Sequence, residues 1–333
     1  MLFLEIAGYL VLILVAAEVF VNALEHLGEK LKISEGVTGS IFAAVGTALP
    51  ETLVPLLAIF AGTANSKVNE EIGVGAILGA PLMLSTLSLF LMSLAVLKKR
   101  GRDGHLTPER TGLKRDLDFF LMAFSLSLVA MFIPHTQEWV RVVIAFVMVM
   151  IYFIYIMLTL RASSKLVADG HATEAEEPMW LSRIGLPENM PVILIQLAAG
   201  LALLVLGAKG FIHGVEHAAP ILGISALVLS LMIVPVATEL PEKVNSILWI
   251  RKHKDTLAFG NISGAMVFQG TLLPAIGISL TPWMPVKEVL TGVVITLLAA
   301  FWLRWKLLHG GLRVWHLWLN GALYVTYLVI ALA

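Results

Sequence analysis

Ten hydrophobic segments run through the sequence, and each is long enough to cross the hydrocarbon core of a membrane, which is about 30 Å thick. A backbone in lipid must satisfy its own hydrogen bonds, so such segments are predicted to be α-helices. They lie near residues 4–23, 36–62, 71–97, 118–134, 139–160, 190–212, 221–249, 257–280, 286–303 and 315–333. The composition agrees, because 58% of the 333 residues are hydrophobic and only 14% are charged, whereas soluble domains carry about 25%. The chain is therefore predicted to be an all-α polytopic membrane protein with ten transmembrane helices.

Charge and motif content limit the classes of function. The formal net charge is +0 and the chain has no cysteine. This gives no sign of a nucleic-acid partner and excludes disulfides, thiol catalysis and cysteine metal sites. Neither an HExxH zinc motif nor a GxSxG nucleophile motif occurs in the sequence. The chain is predicted not to be an enzyme and to need no cofactor. Its expected partners are small cations and the lipid bilayer, and no oligomer is required.

Lysine and arginine residues are distributed unevenly along the chain. If the N-terminus lies outside, most of the 23 lysines and arginines fall in cytoplasmic segments, in agreement with the positive-inside rule. Both termini are therefore predicted to lie outside. The compact size and the absence of large regulatory loops favour a prokaryotic inner (cell) membrane.

A polar stretch at 161–190 divides the ten segments into two groups of five. It is charged and poor in aliphatic residues, which is typical of a linker. The predicted organisation is a first five-helix repeat at 1–160, a cytoplasmic linker at 161–189 and a second five-helix repeat at 190–333.

The two halves repeat each other in sequence. At a constant offset, LEHLGEKLKISEGVTG (24–39) aligns with VEHAAPILGISALVLS (215–230), and GTALPETLVPLL (46–57) aligns with ATELPEKVNSIL (237–248). Because each half holds five spans, equivalent spans must cross the membrane in opposite directions. Inverted repeats with interrupted helices are typical of secondary transporters, whose substrate site lies near the midplane at the repeat interface.

A Thr-x-Leu-Pro-Glu string stands at equivalent places in the two halves. A proline inside a helix removes one backbone donor and displaces the carbonyl four residues earlier. Pro50 is thus expected to free the carbonyl of Gly46, and Pro241 that of Ala237. Broken backbone at membrane depth is tolerated where it lines a cavity or is otherwise satisfied. Both helices are therefore predicted to be interrupted near the midplane.

Each predicted interruption gathers hard oxygen atoms. Thr47 and Glu51 flank the first proline, and Thr238 and Glu242 flank the second. Two carboxylates, two hydroxyls and several carbonyls suit Ca²⁺, which takes six to eight oxygen ligands in flexible geometry. The alternative is a pair of proline-kinked packing helices with protonated or snorkelling glutamates. Ionisable residues at equivalent intramembrane positions favour the functional interpretation.

With these motifs the chain resembles the cation/Ca²⁺ exchanger superfamily, which includes the sodium/calcium and proton/calcium antiporters. The similarity is closest in GTALPE (46–51) and looser in ATELPE (237–242). It continues partly in GNISGAMVFQ (260–269) and only through the glycines of GAILGAPLML (75–84).

The resemblance implies roles for individual residues. Glu51 and Glu242 would be the central cation ligands, and Thr47 and Thr238 would add hydroxyl or carbonyl oxygen. It also implies alternating access, in which the first and sixth spans slide across a core made by the second, third, seventh and eighth.

The chain departs from the family pattern at several polar positions. The family often has Ser after Thr in each Pro-Glu string, and it places Ser, Asn or Asp in the helix that follows. The residues found here are Ala48, Ala80, Pro81 and Leu84 in the first half and Glu239, Ala265, Met266 and Gln269 in the second. The loss of hydroxyl and amide groups disfavours Na⁺ coupling, whereas proton coupling needs only carboxylates that share a buried site.

Four further polar residues of the second half are candidates. Glu239 is an extra acid that is either a third ligand or a partner of Lys243, and Lys243 is alternatively a tethered substitute for a bound cation. Asn261 either contacts the substrate or caps broken backbone. Gln269 is the best remaining polar ligand on its helix.

Two Glu-His pairs, Glu25–His26 and Glu216–His217, are predicted near opposite membrane faces. Since histidine titrates near neutrality, they are candidates to relay protons or recruit cations. Capping and solvation at the interface is the favoured interpretation.

The leading hypothesis is a secondary antiporter that exchanges a divalent cation, Ca²⁺ before others, for H⁺ or Na⁺. The alternative is a non-transporting cation sensor or partner subunit on the same scaffold, and a membrane enzyme is a weaker third.

Overall fold

The structure, a computed structural model, describes residues 2–30, 49–167 and 177–333, and within these ranges the chain is almost wholly helical. The helices are α1 (Leu2–Lys30), α2 (Leu49–Ala61), α3 (Ser66–Met83), α4 (Leu89–Arg100), α5 (Arg110–Ala130), α6 (Glu138–Val167), α7 (Met190–Leu222), α8 (Ala226–Thr238), α9 (Leu240–Arg251), α10 (Asp255–Leu280), α11 (Lys287–Leu308) and α12 (His316–Leu332).

Short irregular elements connect these helices. A π-helical turn, Leu84–Ser88, joins α3 to α4 without a break, and short 3₁₀ turns lie at His135–Gln137 and Ser182–Ile184. The two-residue strands β1 (His105–Leu106) and β2 (Leu312–Arg313) pair antiparallel, with the first residue of β1 opposite the last of β2.

The prediction of an all-helical membrane protein is confirmed. Within the described residues, six helices are long and apolar enough to cross a membrane: Leu2–Leu27, Ser66–Arg100, Glu138–Thr159, Met190–Leu222, Asp255–Leu280 and Lys287–Leu308. Helical residues also occupy the other four predicted segments in the part of the chain that the structure describes, where α2, α5, α8 with α9, and α12 lie.

The fourth predicted segment is displaced in sequence. Helix α5 begins at Arg110 rather than near 118 and ends at Ala130, before the turn that precedes Pro134. The early start has a local cause, because the carboxylate of Glu109 accepts hydrogen bonds from the backbone N–H groups of Thr111 and Gly112 at 2.7 and 2.5 Å. These contacts satisfy two of the donors that a helix N-terminus leaves open.

Helix α3 lies between two apolar cores. One core joins α1, α2, α7 and α8, and it includes Ile72 and Ala76 of α3. The other joins α4, α5, α6, α10, α11 and α12, and it includes Ile77 and Leu78 of α3. Helix α8 also contributes to both, with Leu227 and Leu231 in the second core, so the two parts of the molecule pack against each other through α3 and α8.

Helices α3 and α8 approach each other closely. A Cβ atom at Gly75 would lie 2.7 Å from the carbonyl oxygen of Leu227, and one at Gly79 would lie 2.5 Å from that of Leu231. The hydroxyl of Ser230 also donates to a backbone carbonyl oxygen of α3 at 2.8 Å. Small residues spaced by four let two backbones approach in this way.

Three glycines of α7 form a line facing α1. A Cβ at Gly200 would lie 3.0 Å from Phe20, one at Gly207 would lie 2.9 Å from Ile13, and one at Gly214 would lie 2.5 Å from Ile6. The glycines and the bulky residues both recur every seventh residue, so each side chain of α1 fits a hollow of α7.

A buried ion pair joins the two halves of the chain at one end of the helix bundle. The guanidinium of Arg100 donates to both carboxylate oxygens of Asp255 at 2.7 Å, and it also donates to the carbonyl oxygen of Ile250 at 2.6 Å. The backbone N–H of Thr107 donates to the same carboxylate at 2.8 Å. Both charged side chains are buried, with 8% and 3% exposure.

Part of the predicted linker is folded. Helix α6 continues to Val167, and Met179 is fully buried against Ile193. The backbone N–H of Trp180 donates to the side-chain oxygen of Asn22 at 3.0 Å. The second half of the linker is therefore packed on α1 and α7. Sequence composition missed this because a few apolar residues suffice when neighbouring helices supply the rest of the core.

His26 also contacts this segment. Its ring lies 2.6 Å from the Glu188 carboxylate through Nδ1 and 3.1 Å from the Glu177 carbonyl oxygen through Nε2. These contacts support the structural interpretation of the Glu25–His26 pair.

Gly79→Ala is expected to lower the free energy of unfolding by about 1–3 kcal/mol. The new methyl group would overlap the backbone of Leu231, so the two helices would have to move apart. Gly8→Ala is the matched control, since a Cβ at Gly8 has no neighbour within 4 Å among the described residues. Thermal unfolding of the detergent-purified proteins measures both. Equal melting temperatures for the two variants would contradict the close packing of α3 on α8.

Arg100→Ala is expected to lower the free energy of unfolding by about 3–5 kcal/mol, because it leaves the Asp255 carboxylate buried without its counter-charge. Lys114→Ala removes a more exposed partner, which contacts Asp118 at 2.7 Å, and should cost less than about 1 kcal/mol. The same unfolding assay compares the two variants. Similar losses in the free energy of unfolding would show that the buried pair contributes no more to stability than the exposed one.

Candidate functional site

The seventh predicted segment is broken where the sequence places Thr-x-Leu-Pro-Glu. Helix α8 ends at Thr238 and α9 begins at Leu240. Between them Glu239 has φ −89° and ψ 4°, outside regular helix geometry. Pro241 follows in the first turn of α9 and has no backbone N–H to donate to the preceding turn. The predicted interruption is thus confirmed in the second half of the chain.

Lys243 places its ammonium group at the end of α8. The Nζ atom donates to the carbonyl oxygen of Pro235 at 2.7 Å and lies 2.8 Å from the sulfur of Met83. The side chain is 7% exposed. The carbonyl end of a helix carries partial negative charge, which favours a cation there. A positive charge that belongs to the protein therefore lies at the interruption.

Glu239 and Gln269 meet across the interface between the interruption and α10. The Gln269 Nε2 atom donates to Oε1 of Glu239 at 2.5 Å, and the two residues are 2% and 0% exposed respectively. Because an ionised carboxylate only accepts hydrogen bonds, this contact turns the amide oxygen of Gln269 away from Glu239. That oxygen is buried and accepts no hydrogen bond from the described residues, so it is available to a cation.

Two other candidates, Thr238 and Asn261, have described contacts. Thr238 is 2% exposed, and its hydroxyl donates to the carbonyl oxygen of Val234 at 3.1 Å. Asn261 donates from its amide to the hydroxyl of Ser246 at 3.0 Å, a contact that ties α10 to α9. The described contacts of Asn261 thus connect helices.

Glu51 is buried in α2 and is 3% exposed. Its helix packs on α3, as α8 does from the other half of the chain. Helix α2, which carries Glu51, and helix α8, which ends one residue before Glu239, therefore pack on one helix from the two halves of the chain.

Several predicted residues fall in parts that the structure does not fully describe. Gly46 and Thr47 lie outside the described residues. Only the main chain of the others is described: Pro50, Ala237, Pro241 and Glu242.

Lys243 makes two contacts that the sequence did not indicate, with the carbonyl oxygen of Pro235 and with the sulfur of Met83. The alternatives for Glu239, a third ligand or a partner of Lys243, stay predictions.

Glu51, Glu239 and Lys243 are three ionisable side chains, all at least nine-tenths buried within the predicted spans. Such residues are costly in a membrane and almost always face a bundle interior or a cavity where they serve function. The arrangement offers a buried set of carboxylate, amide and carbonyl oxygens, with one fixed positive charge beside it.

Comparison with known proteins shows the family. The sequence pattern of the family described as "Sodium/calcium exchanger protein" matches residues 1–161 and 192–333. The chain belongs to the sodium/calcium exchanger family. It is therefore an integral membrane protein of an ion-transport family, as its motifs indicated.

The individual relatives have low sequence identity to this chain but align with most of it. CaxA of Alkalimonas amylolytica is 24% identical over 289 residues, covering 82% of this chain and 79% of that protein. The structure of the H⁺/Ca²⁺ exchanger CAX has a TM-score of 0.73 at 17% identity, covering 98% of this chain and 82% of that one. The sodium–calcium exchanger NCX_Mj has a TM-score of 0.57 at 20% identity, covering 99% of each chain. The fold of this family member is thus shared with both.

Lys243→Met is expected to lower the free energy of unfolding by about 1–3 kcal/mol, because the charge-assisted hydrogen bond to Pro235 is lost and that carbonyl keeps only the N–H of Glu239, 3.2 Å away. Lys252→Met, at an exposed position after α9, is the control and should change stability by less than about 0.5 kcal/mol. Thermal unfolding in detergent gives both values. A variant at 243 as stable as the control would show that the ammonium contact contributes little.

Proposed function

We propose that this chain is a secondary active antiporter that exchanges a divalent cation, Ca²⁺, for H⁺ or Na⁺ by alternating access. The observation that carries the proposal is the interruption between α8 and α9. There a carboxylate, an amide and an ammonium group are buried together in a member of an exchanger family.

The proposed architecture is ten transmembrane helices in two inverted five-helix repeats, 1–160 and 190–333, joined by a cytoplasmic linker at 161–189. Broken helices would meet at the midplane, and both termini would lie outside a prokaryotic inner membrane. The confirmed break between α8 and α9 and the bacterial source of the relative CaxA support this arrangement.

The proposed cation ligands come from both repeats. Glu51 and Glu242 would supply the two central carboxylates, with Gln269 adding its buried amide oxygen. The other proposed contributors are the hydroxyls of Thr47 and Thr238 and the carbonyls of Gly46 and Ala237. Asn261 would position α10 against α9 through Ser246.

Charge balance supports a divalent substrate. Glu239 and Lys243 carry opposite charges at the same interruption and cancel each other. Glu51 and Glu242 then leave two negative charges, which one Ca²⁺ or two protons neutralise. Since uncompensated charge is costly inside a membrane, a site with these residues favours exchange of one divalent cation for two protons.

The coupling ion is proposed on the chemistry of the ligands. The structural relatives are named for H⁺ exchange in one case and Na⁺ exchange in the other, so the fold does not separate the two. Few hydroxyl oxygens stand near the described part of the site, and the hydroxyl of Thr238 donates its proton to the backbone. Proton coupling requires carboxylates alone and is the favoured form.

A second candidate is a cation sensor or partner subunit that binds without transporting. The ammonium of Lys243 at the carbonyl of Pro235 favours it, because a tethered charge cannot leave the site. Binding of Ca²⁺ without flux would identify this alternative.

Uptake of radioactive Ca²⁺ into proteoliposomes under an imposed pH gradient or an imposed Na⁺ gradient tests the proposal. The expected result is uptake driven by the pH gradient and reduced at least about tenfold in Glu51→Gln and in Glu242→Gln, since each variant removes a charged ligand. Glu29→Gln, at an exposed position of α1, is the matched control and should keep wild-type uptake.

The other outcomes are equally informative. If the Na⁺ gradient alone drives uptake, the chain is still an antiporter, but its coupling ion is Na⁺ rather than H⁺. Folded protein that shows no flux under either gradient would overturn Ca²⁺ exchange, and calorimetric Ca²⁺ binding by that protein would support the sensor.

A further inference from the structure

The C-terminal part of α7 carries three side chains that could bind a metal ion on one face. The sequence HGVEH places His213, Glu216 and His217 three and four residues apart, a spacing that brings them to the same side of a helix. One ligand atom of each residue lies within 4.8 Å of the others. The two imidazole rings have centroids 4.3 Å apart.

Backbone contact prepares one of the imidazoles for metal binding. The Nδ1 atom of His217 lies 2.8 Å from the carbonyl oxygen of His213. Because a carbonyl oxygen only accepts, Nδ1 carries the proton, and the neutral ring presents the lone pair of Nε2. Metal-binding histidines are commonly oriented by such a contact.

The Glu216 carboxylate completes the set. Its Oε2 atom lies 3.9 Å from Nδ1 of His213, and the side chain is 23% exposed whereas that of His213 is 70% exposed. The three groups face a cavity of about 720 Å³ between α7 and the loop that joins α2 to α3, a cavity also lined by Thr63 and Lys209. The ligand atoms are therefore accessible from that cavity.

The chemistry of the three ligands selects the kind of metal. Ca²⁺ requires six to eight oxygen atoms, and a single carboxylate does not supply them. The positive charge of Lys209 in the same cavity further weakens purely electrostatic binding of a cation. Imidazole nitrogen binds Zn²⁺ and related transition metals, for which two nitrogens and one carboxylate oxygen are a common ligand set.

We propose that His213, Glu216 and His217 form a binding site for a transition-metal dication, with Zn²⁺ as the probe. Three protein ligands leave the fourth tetrahedral position to water. The site is separate from Glu51, Glu239 and Gln269, and its existence does not depend on Ca²⁺ exchange.

Calorimetric titration of tag-free, detergent-purified protein with Zn²⁺ tests the site, in the presence of excess Ca²⁺ to occupy oxygen-rich positions. The expected result is one saturable equivalent of Zn²⁺. Each of His213→Ala and His217→Ala should weaken binding at least about tenfold, because each removes a direct ligand. Co²⁺ should give the visible absorption of a four-coordinate ion in the wild type and lose it in both variants.

His309→Ala is the matched control. This histidine is also exposed, and its Nδ1 also contacts a carbonyl oxygen four residues earlier, that of Trp305 at 3.0 Å. The control should bind Zn²⁺ as the wild type does, and so should Glu51→Gln, which separates this site from the proposed Ca²⁺ site. Absence of saturable binding by the wild type, or equal binding by the His213→Ala/His217→Ala double variant, would overturn the proposal.

Discussion

A charge inside a lipid bilayer has no water to solvate it, so its partners must come from the protein. The interruption between α8 and α9 meets this constraint with contacts from three directions. Lys243 uses a carbonyl of α8 and a sulfur of α3, and Glu239 uses the amide of Gln269 on α10. These contacts hold four helices in fixed relation. The close packing of Gly75 and Gly79 on α8 brings α3 near enough to take part.

Sequence reasoning reached the features that depend on local covalent chemistry. The helical spans follow from hydrophobic length, and the break near Pro241 follows from the missing backbone donor. The sequence also marks Gln269 as the best remaining polar candidate on its helix, and its role as a ligand stays a prediction. Each of these inferences needs only the neighbouring residues along the chain.

The remaining features depend on distances between helices. Which group the flexible side chain of Lys243 reaches is set by how closely α3 approaches α8, and spacing along the sequence does not contain that distance. The π-helical turn at Leu84–Ser88 follows Pro81, and the hydroxyls of Ser85 and Thr86 donate to the carbonyl oxygen of Leu82. The contact of Asn320 from α12 with the carbonyl of Ser85, at 2.8 Å, is not visible in the sequence. The folded end of the linker likewise depends on surfaces that α1 and α7 provide.

The line of glycines on α7 has a mechanical consequence. Each bulky side chain of α1 occupies a hollow, and a fourth hollow at Gly210, filled by Tyr9, lies three residues from Gly207 and four from Gly214, about 5 Å along the axis. A smaller displacement of one helix along the other would press those side chains onto occupied turns. Because the glycines are unevenly spaced, no short displacement seats all of these side chains again, so α1 and α7 are expected to move together in any rearrangement that keeps them in contact.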